Sequence, residues 1–532
     1  MPTRGEKYIL AVDLGTSGPK VALVSTQGEI VASEIEQTPV LLLPDGGAEQ
    51  DPDGWWAAIK RACQALLGKR PVPVEDIVAL SCTSQWSGTV AVDRAGRPLM
   101  NAIIWMDSRG APYARRITGG WPRIEGYGLG RLLTWLRLTG GIPGHSGKDS
   151  IAHILLIKHD FPDVYRETYK FLEPKDYLNW RLTGKFAASF DSITLHWVTD
   201  NRDVNRIAYH EGLLKLTSLD REKLPALKRA VDVLGPIRPE VAGELGLSQG
   251  VQVVMGTPDL HSAAIGSGAV RDYEAHLYLG TSSWLTCHVP FKKTDILHNM
   301  ASLPSAIPGR YFVANEQESA GACLTFLRDN LFFPDDELAA GPPPPDVYQR
   351  FDRIVAAVPP GSGGVIFTPW LNGERTPVDD HLLRGGFYNL SLQTGRRHLL
   401  RAVFEGVAFN SRWLLGYVEK FVRRRFEAIN MIGGGANSEV WCQIHADVLN
   451  RTIRQVRDPV QANARGAALL ASVALGYTTF DEIAQRVQIA RVYAPNPANR
   501  PIYEALFREY LNLYRNNRKI WRRLNGGRGL GD

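Results

Sequence analysis

The stretch Tyr8-Ile9-Leu10-Ala11-Val12-Asp13-Leu14-Gly15-Thr16-Ser17-Gly18 decides how the chain is read. Its apolar run predicts a buried strand. The run ends on a carboxylate, Asp13, and then breaks into Gly, Thr, Ser and Gly. Small residues permit a tight turn whose backbone N–H groups can face an anion, with hydroxyls as further donors. Val21-Ala22-Leu23-Val24 predicts the returning strand of a hairpin. The same device returns half a chain later as Tyr278-Leu279-Gly280-Thr281-Ser282-Ser283, followed by Trp284-Leu285-Thr286. Two such turns predict two similar α/β domains, each offering a phosphate-binding hairpin. We divide them near Met255, into residues 1–255 and 256–532.

Composition agrees with an ordinary globular chain of several domains: 532 residues, 44% hydrophobic and 22% charged. The net charge of +6 comes from 61 basic and 55 acidic residues that are interspersed, which argues against a nucleic-acid partner. The five cysteines form no Cys-x-x-Cys pair, which fits a reducing cytoplasm. No signal-peptide pattern opens the chain, and apolar runs such as 467–475 are too short to span a bilayer.

Outward from the first hairpin, 30–34 reads as a strand. Residues 53–67 read as a helix capped by Asp51 or Asp53, and 77–82 as a buried strand. That strand empties into Thr83-Ser84-Gln85-Trp86-Ser87-Gly88, and the short strand 102–105 into Met106-Asp107-Ser108-Arg109. In open α/β sheets ligands gather at such strand ends. Gly147-Lys148-Asp149 resembles the end of a Walker A loop, but the upstream glycine is missing and Asp149 replaces the magnesium-binding hydroxyl, so a P-loop is rejected. Residues 175–183 read as a helix stopped by Gly184, and 251–255 as a buried strand ending in Gly256-Thr257-Pro258-Asp259, with a helix over about 261–265. Further on, 396–421 has a long helical period. Gly433-Gly434-Gly435-Ala436 then makes a glycine platform before a helix capped by Asn437 or Ser438. Residues 465–475 form a helix of small residues suited to close packing, and the basic segment 508–528 a helix packed on the second domain.

These are parts for nucleotide-dependent phosphoryl transfer, which needs positioning, charge neutralisation and a base for the attacking hydroxyl. Asp259, after a buried strand and a stiffening proline, is the candidate base, although the same position suits a helix N-cap. Asp13 faces the first turn and suits Mg2+, directly or through water.

The chain resembles the FGGY family of carbohydrate kinases, within the actin-like ATPase superfamily, and is most similar to its xylulokinase branch. The matching pieces, in order, are Asp13-Leu14-Gly15-Thr16-Ser17, Trp105-Met106-Asp107-Ser108-Arg109, Pro174-Lys175-Asp176-Tyr177, Gly256-Thr257-Pro258-Asp259, Gly280-Thr281-Ser282, Gly373-Glu374-Arg375-Thr376-Pro377, Gly433-Gly434-Gly435-Ala436 and Ala464-Arg465-Gly466-Ala467-Ala468. The resemblance implies two ribonuclease H-like domains flanking a cleft, with sugar mainly on the first and ATP mainly on the second. It implies Asp259 as general base and Asp13 as support for Mg2+ and the transferring phosphate. Thr16, Gly280 and Thr281 would hold phosphates, and Gly321, Gly435 and Ala436 would lie along the nucleotide. Gln85, Trp86, Trp105, Asp107 and Tyr177 would lie at or near the sugar. The implied enzyme is cytoplasmic and phosphorylates a ketose such as xylulose or a related sugar or polyol; a homodimer is left open. Typical xylulokinases carry Met-His where this chain has Trp86-Ser87, and Asn where it has Leu260. Those exchanges remove two polar partners and should change the accepted hydroxyl pattern. A catalytically idle sugar or nucleotide sensor, or an actin-like ATPase, are the competing readings. Asp13 and Asp259 favour the enzyme over the first, and the loop Trp105–Arg109 speaks against the second.

Overall fold

Residues 8–25 form the expected hairpin. Strand β1 (Tyr8–Gly15) pairs antiparallel with β2 (Gly18–Ser25), placing Asp13 opposite Lys20 and Gly15 opposite Gly18. The structure, a computed structural model, describes residues 5–337 and 341–526. Alternate residues of a strand face opposite sides of its sheet. Tyr8, Leu10, Val12 and Leu14 accordingly enter one core, and Ile9 and Ala11 enter another.

β3 (Ile30–Ile35), β4 (Ile77–Ser84), β5 (Val233–Pro236) and β6 (Gln252–Val254) complete a six-stranded sheet of order β5-β6-β4-β1-β2-β3. A second sheet of eight strands contains β7 (Ala275–Leu279), β8 (Ser283–Val289), β9 (Thr294–Asp295), β10 (Met300–Pro304), β11 (Tyr311–Ala314), β12 (Ala428–Ile432), β13 (Thr452–Val456) and β14 (Ile489–Tyr493). Its order is β9-β10-β11-β8-β7-β12-β13-β14. The two sheets share one topology. β3-β2-β1 and β11-β8-β7 are antiparallel triplets, the second reaching β11 only after β9 and β10. β4 and β6 extend the first in parallel, as β12 and β13 extend the second. An antiparallel edge strand, β5 or β14, follows in each. The repeated Leu-Gly-Thr-Ser turn thus marks the same corner, the β1–β2 and β7–β8 hairpins, of two repeated ribonuclease H-like units.

Helix α1 (Pro52–Gly68) covers the outer face of the first sheet with Trp55, Ile59 and Leu66. Its cap is Asp51, whose carboxylate accepts from the Asp53 N–H at 3.0 Å, resolving the two candidates. α2 (Pro174–Thr183) ends at Gly184 in the left-handed region, as the glycine stop requires. α3 (Asp259–Gly266) begins two residues earlier than expected. α4 (Arg396–Val422) is the long helix of the second unit. α5 (Ala462–Ala474) is the small-residue helix, and α6 (Arg500–Asn525) the basic one. α6 starts before the expected Arg508 and buries Tyr503, Tyr510 and Trp521 against the second unit; Arg528 lies outside the described residues.

α3 and α5 meet between the two sheets. A Cβ on Gly266 would stand 1.7 Å from the Ala462 carbonyl oxygen, and one on Gly466 1.8 Å from that of Ser262, so this crossing requires glycine on both helices. Ala263, Ile265, Ala464, Ala467 and Leu470 join Ile9, Ala11, Ala79 and Val254 in one buried cluster there. The five cysteines are free and buried.

Candidate active site

Both hairpin turns open into one cleft of about 1470 Å³. Asp13, Thr16 and Ser17 line it from the first unit, Thr281 and Ser282 from the second, and Asp259 lies with them. Gln85, Trp86 and Trp105 line it too.

Asp259 owes its place to the end of β6. Gly256 has φ +72°, and a Cβ there would lie 2.1 Å from the Cys82 carbonyl oxygen, so glycine alone lets the chain turn under β4. Thr257 and Pro258 follow, and Asp259 opens α3, its Oδ1 accepting from the Leu260 N–H at 2.8 Å. Burial in the cleft, reinforced by the like charge of Asp13, pushes the Asp259 carboxyl up to about 8. Burial also raises the Asp13 carboxyl above its ordinary value, against the opposing pull of Lys20, whose Nζ lies 3.8 Å away. Lys20 also donates to the Val460 carbonyl at 2.8 Å, from the first unit to the second.

The first turn is wired to the neighbouring strand ends. Trp105 Nε1 donates to Thr16 Oγ1 at 2.9 Å, and Thr16 Oγ1 donates to Gln85 Oε1 at 3.0 Å. Gln85 Nε2 donates to Gln50 Oε1 at 2.7 Å, and Gln50 returns a bond to the Thr16 carbonyl at 2.9 Å. The Thr16 hydroxyl is therefore engaged in holding the turn against Trp105 and Gln85. Trp86 is nearly buried, donates from Nε1 to the Ser192 carbonyl at 3.0 Å, and meets His261 edge to face. Ser87 Oγ donates to the Lys148 carbonyl at 2.6 Å, and Leu260 lines the cleft beside Asp259.

Other expected site residues stand elsewhere. Tyr177 is fully buried in the first core. Its hydroxyl faces Asp53 at 3.5 Å and Arg181 at 3.3 Å, so it does not line the cleft, and its place on the sugar side is corrected. Asp107 is likewise buried rather than lining: it accepts from the Ala48 N–H at 2.9 Å and holds the Arg109 guanidinium at 2.6 Å. Gly280, Gly321, Gly435 and Ala436 gather behind the second turn instead of lining the cleft. The Gly321 N–H donates to the Gly280 carbonyl at 2.8 Å, a Cβ on Gly435 would strike Leu279, and Ala436 is buried.

The cleft also holds groups that sequence reasoning assigned no role. Arg375 reaches from the second unit over the Trp105 ring, 5.4 Å from its centroid, while pairing with Glu316 at 2.6 Å and with Glu318. Lys148 of the first unit stands 3.9 Å from Glu318, its ammonium lowered below the usual lysine range by burial and by Arg375. Tyr278 and Trp284 stack in parallel, centroids 3.9 Å apart, beneath the second turn. The opposition of Lys20 to Asp13 was within reach of the hairpin register. The Arg375 motif was visible too, but not which lobe it would reach.

Two ribonuclease H-like units with paired phosphate-type turns around a shared cleft define the actin-like ATPase class of phosphotransferases. Residues 8–266 match the N-terminal domain, and residues 275–475 the C-terminal domain, of the FGGY family of carbohydrate kinases. The chain belongs to that family and is a carbohydrate kinase. It is 27% identical to a xylulose kinase of Bacillus subtilis (strain 168), over 97% of this chain and 98% of that one. Among solved structures it is similar to ligand-bound xylulose kinase from Lactobacillus acidophilus (25% identity, TM-score 0.84, 97% and 99% of the two chains). It is equally similar to gluconate kinase from Lactobacillus acidophilus (26% identity, TM-score 0.83, 96% and 98% covered). Among the described residues no helix is long and apolar enough to cross a membrane.

Proposed function

We propose that this carbohydrate kinase transfers the terminal phosphoryl group of ATP to a hydroxyl of a ketose or related sugar, with Asp259 as general base. The observation that carries the reading is the convergence of Asp259, Asp13 and both hairpin turns on one cleft. The triphosphate lies between the two turns, whose backbone N–H groups face it, with residues 1–255 mainly holding sugar and 256–532 mainly nucleotide. Gln85, Trp86 and Trp105 form the sugar wall. Asp259 accepts the proton of the sugar hydroxyl as its oxygen attacks the terminal phosphorus; the bond to the bridging oxygen breaks and ADP leaves. Thr16 holds the first turn to the sugar wall, so both substrates are registered by one hydrogen-bonded circuit.

The donor set around Asp13 fits Mg2+ carried in chiefly by phosphate and water. It offers one buried carboxylate, and among the described residues no cluster of three or more His, Cys, Asp or Glu could hold a metal by itself. Bound there, Mg2+ supplies neutralisation of phosphate charge. The free, buried cysteines support a cytoplasmic site of action.

Likeness to the xylulose and gluconate kinases is equal in fold, so substrate choice rests on the wall. Trp86 and Leu260 present apolar surface there, and Ser87 is tied to the Lys148 carbonyl. The test is ADP release across neutral ketoses, polyols and aldonates, with Asp259→Asn beside the wild type. Sugar-dependent turnover that falls at least about a thousandfold in Asp259→Asn, with ATP binding retained, is expected. Full activity in that variant removes Asp259 from the mechanism.

A further inference from the structure

The motif Pro174-Lys175-Asp176-Tyr177, of which Tyr177 was expected near the sugar, does not line the cleft at any of its four residues. It sits underneath. Glu173, Lys175, Asp176, Asp191, Ser192 and Thr257 are each at most 2% exposed. Burying that many ionisable groups is costly unless they are mutually satisfied, so what they hold in place is informative.

Three lines of bonds leave the start of α2. The first runs to the base: Lys175 Nζ donates to the Met255 carbonyl at 3.1 Å, and Asn179 Nδ2 donates to the same oxygen at 2.7 Å. Thr257 Oγ1, two residues before Asp259, donates to Asp191 Oδ2. The second runs to the sugar wall. Lys175 pairs with Asp176, Ser192 Oγ donates to Asp176 Oδ2 at 2.9 Å, and the Ser192 carbonyl receives Trp86 Nε1. The third is Glu173, whose carboxyl accepts from the Gly88 N–H at 3.0 Å and from Ser150 Oγ, two residues past Lys148. Ser84 Oγ closes the circuit by accepting from the Lys175 N–H at 3.0 Å while donating to the Gln85 carbonyl at 2.9 Å.

We propose that this buried network, centred on Lys175–Asp176 and Asp191–Thr257, is a positioning device that sets the Asp259 turn and the Trp86 wall in register with each other. The base and the wall belong to separate chain segments about 170 residues apart by their own numbering, and a displacement of about 1 Å between reacting groups can cost on the order of a hundredfold in rate. The proposal rests on Asp259 being the base.

Thr257→Val and Thr257→Ser test the base arm; Ser192→Ala tests the wall arm. Thr257→Val keeps the side-chain shape but removes the donor to Asp191. It should lower kcat at least about tenfold with the KM for MgATP within about twofold, while Thr257→Ser stays within about threefold of wild type. The acid limb of kcat/KM should also move to lower pH in Thr257→Val, because a loosened turn lets water reach the carboxyl and draws it away from Asp13. Ser192→Ala should raise the sugar KM at least about threefold without raising that for MgATP. Wild-type kcat and pH limb in Thr257→Val, or equal losses in Thr257→Ser, overturn the proposal. If Thr257→Val does not fold, the Ser192→Ala result decides: an unchanged sugar KM overturns it. The base reading fails separately. Full activity in Asp259→Asn removes the base, whereas loss there beside an unaffected Thr257→Val removes only the network.

Discussion

The pH dependence of sugar turnover follows from where Asp259 sits. Its carboxyl is moved from 3.8 to about 8, first by burial and then by the charge of Asp13. A general base must be ionised to accept a proton, so below pH 8 only part of the enzyme is competent. The ionised fraction is about one half at pH 8, about a tenth at pH 7 and about a hundredth at pH 6, from the simple titration of one group. The perturbation is therefore pH itself, and the assay is initial ADP release at low concentrations of sugar and MgATP, which reports the unliganded enzyme. kcat/KM should fall about tenfold per pH unit on the acid side of a break near 8. Asp13→Asn should be slow but should show its break at lower pH, by the smaller part of the shift, since burial is the larger cause. The sign for stability runs with it. The folded carboxyl binds its proton more tightly than the unfolded one, so its contribution is full below 3.8 and is lost as pH rises through about 8. A flat kcat/KM between pH 6 and 8.5 refutes the reasoning, because an ordinary exposed carboxylate would be ionised throughout.

Ser87→His combined with Leu260→Asn should raise kcat/KM for D-xylulose relative to other sugars by about tenfold or more, since it restores two polar partners at the wall; an unchanged substrate panel shows that these positions do not set choice. Tyr177→Phe should leave the sugar KM within about twofold, because its hydroxyl faces Asp53 and Arg181 rather than the cleft, and a tenfold rise would return Tyr177 to the site. Gly466→Ala would place a methyl 1.8 Å from the Ser262 carbonyl oxygen and should cost at least about 2 kcal/mol by denaturant titration, with kcat falling as well because α3 carries Asp259. An unchanged midpoint and rate would show that the helix crossing relaxes freely.

The hairpins, the strand ending before Asp259 and the long helices were legible because each is local: a run of apolar residues, a glycine, a cap. The position of Asp259 at the cleft was legible for the same reason, as a carboxylate placed directly after a buried strand and a proline. Tyr177 was placed on the sugar side because a motif's spelling does not say which of its side chains face the cleft. The start of α2 is buried on every side, and its charges serve bonds, not substrate. The neighbours of the glycines behind the second turn were not legible, because a glycine permits close approach without saying to what. In this fold, Gly321 and Gly435 approach Gly280 and Leu279. Lys148, Glu316, Glu318 and Arg375 could not have been paired in advance. Lys148 meets Glu318, and Arg375 meets Trp105, across the cleft, Arg375 pairs with Glu316 from a distant segment of its own unit, and periodicity carries no signal for any of these contacts.

The place of Asp259 on α3 follows from how that helix is packed. The N-terminal family domain ends at residue 266 with α3, and α5 belongs to the C-terminal family domain. The two helices touch backbone to backbone at Gly266 and Gly466 and are further pinned by Ser262 Oγ donating to the Asn463 carbonyl at 2.7 Å. A contact without side chains leaves little room for sliding, because any shift drives carbonyl oxygen into α-carbon. Asp259, at one end of α3, is thereby located by both units at once. The first turn reaches it through Asp13 and Lys20, whose ammonium bonds the Val460 carbonyl just ahead of α5. If Asp259 is the base, as proposed, an alcohol and a phosphate are brought together against a carboxylate that this crossing holds in place.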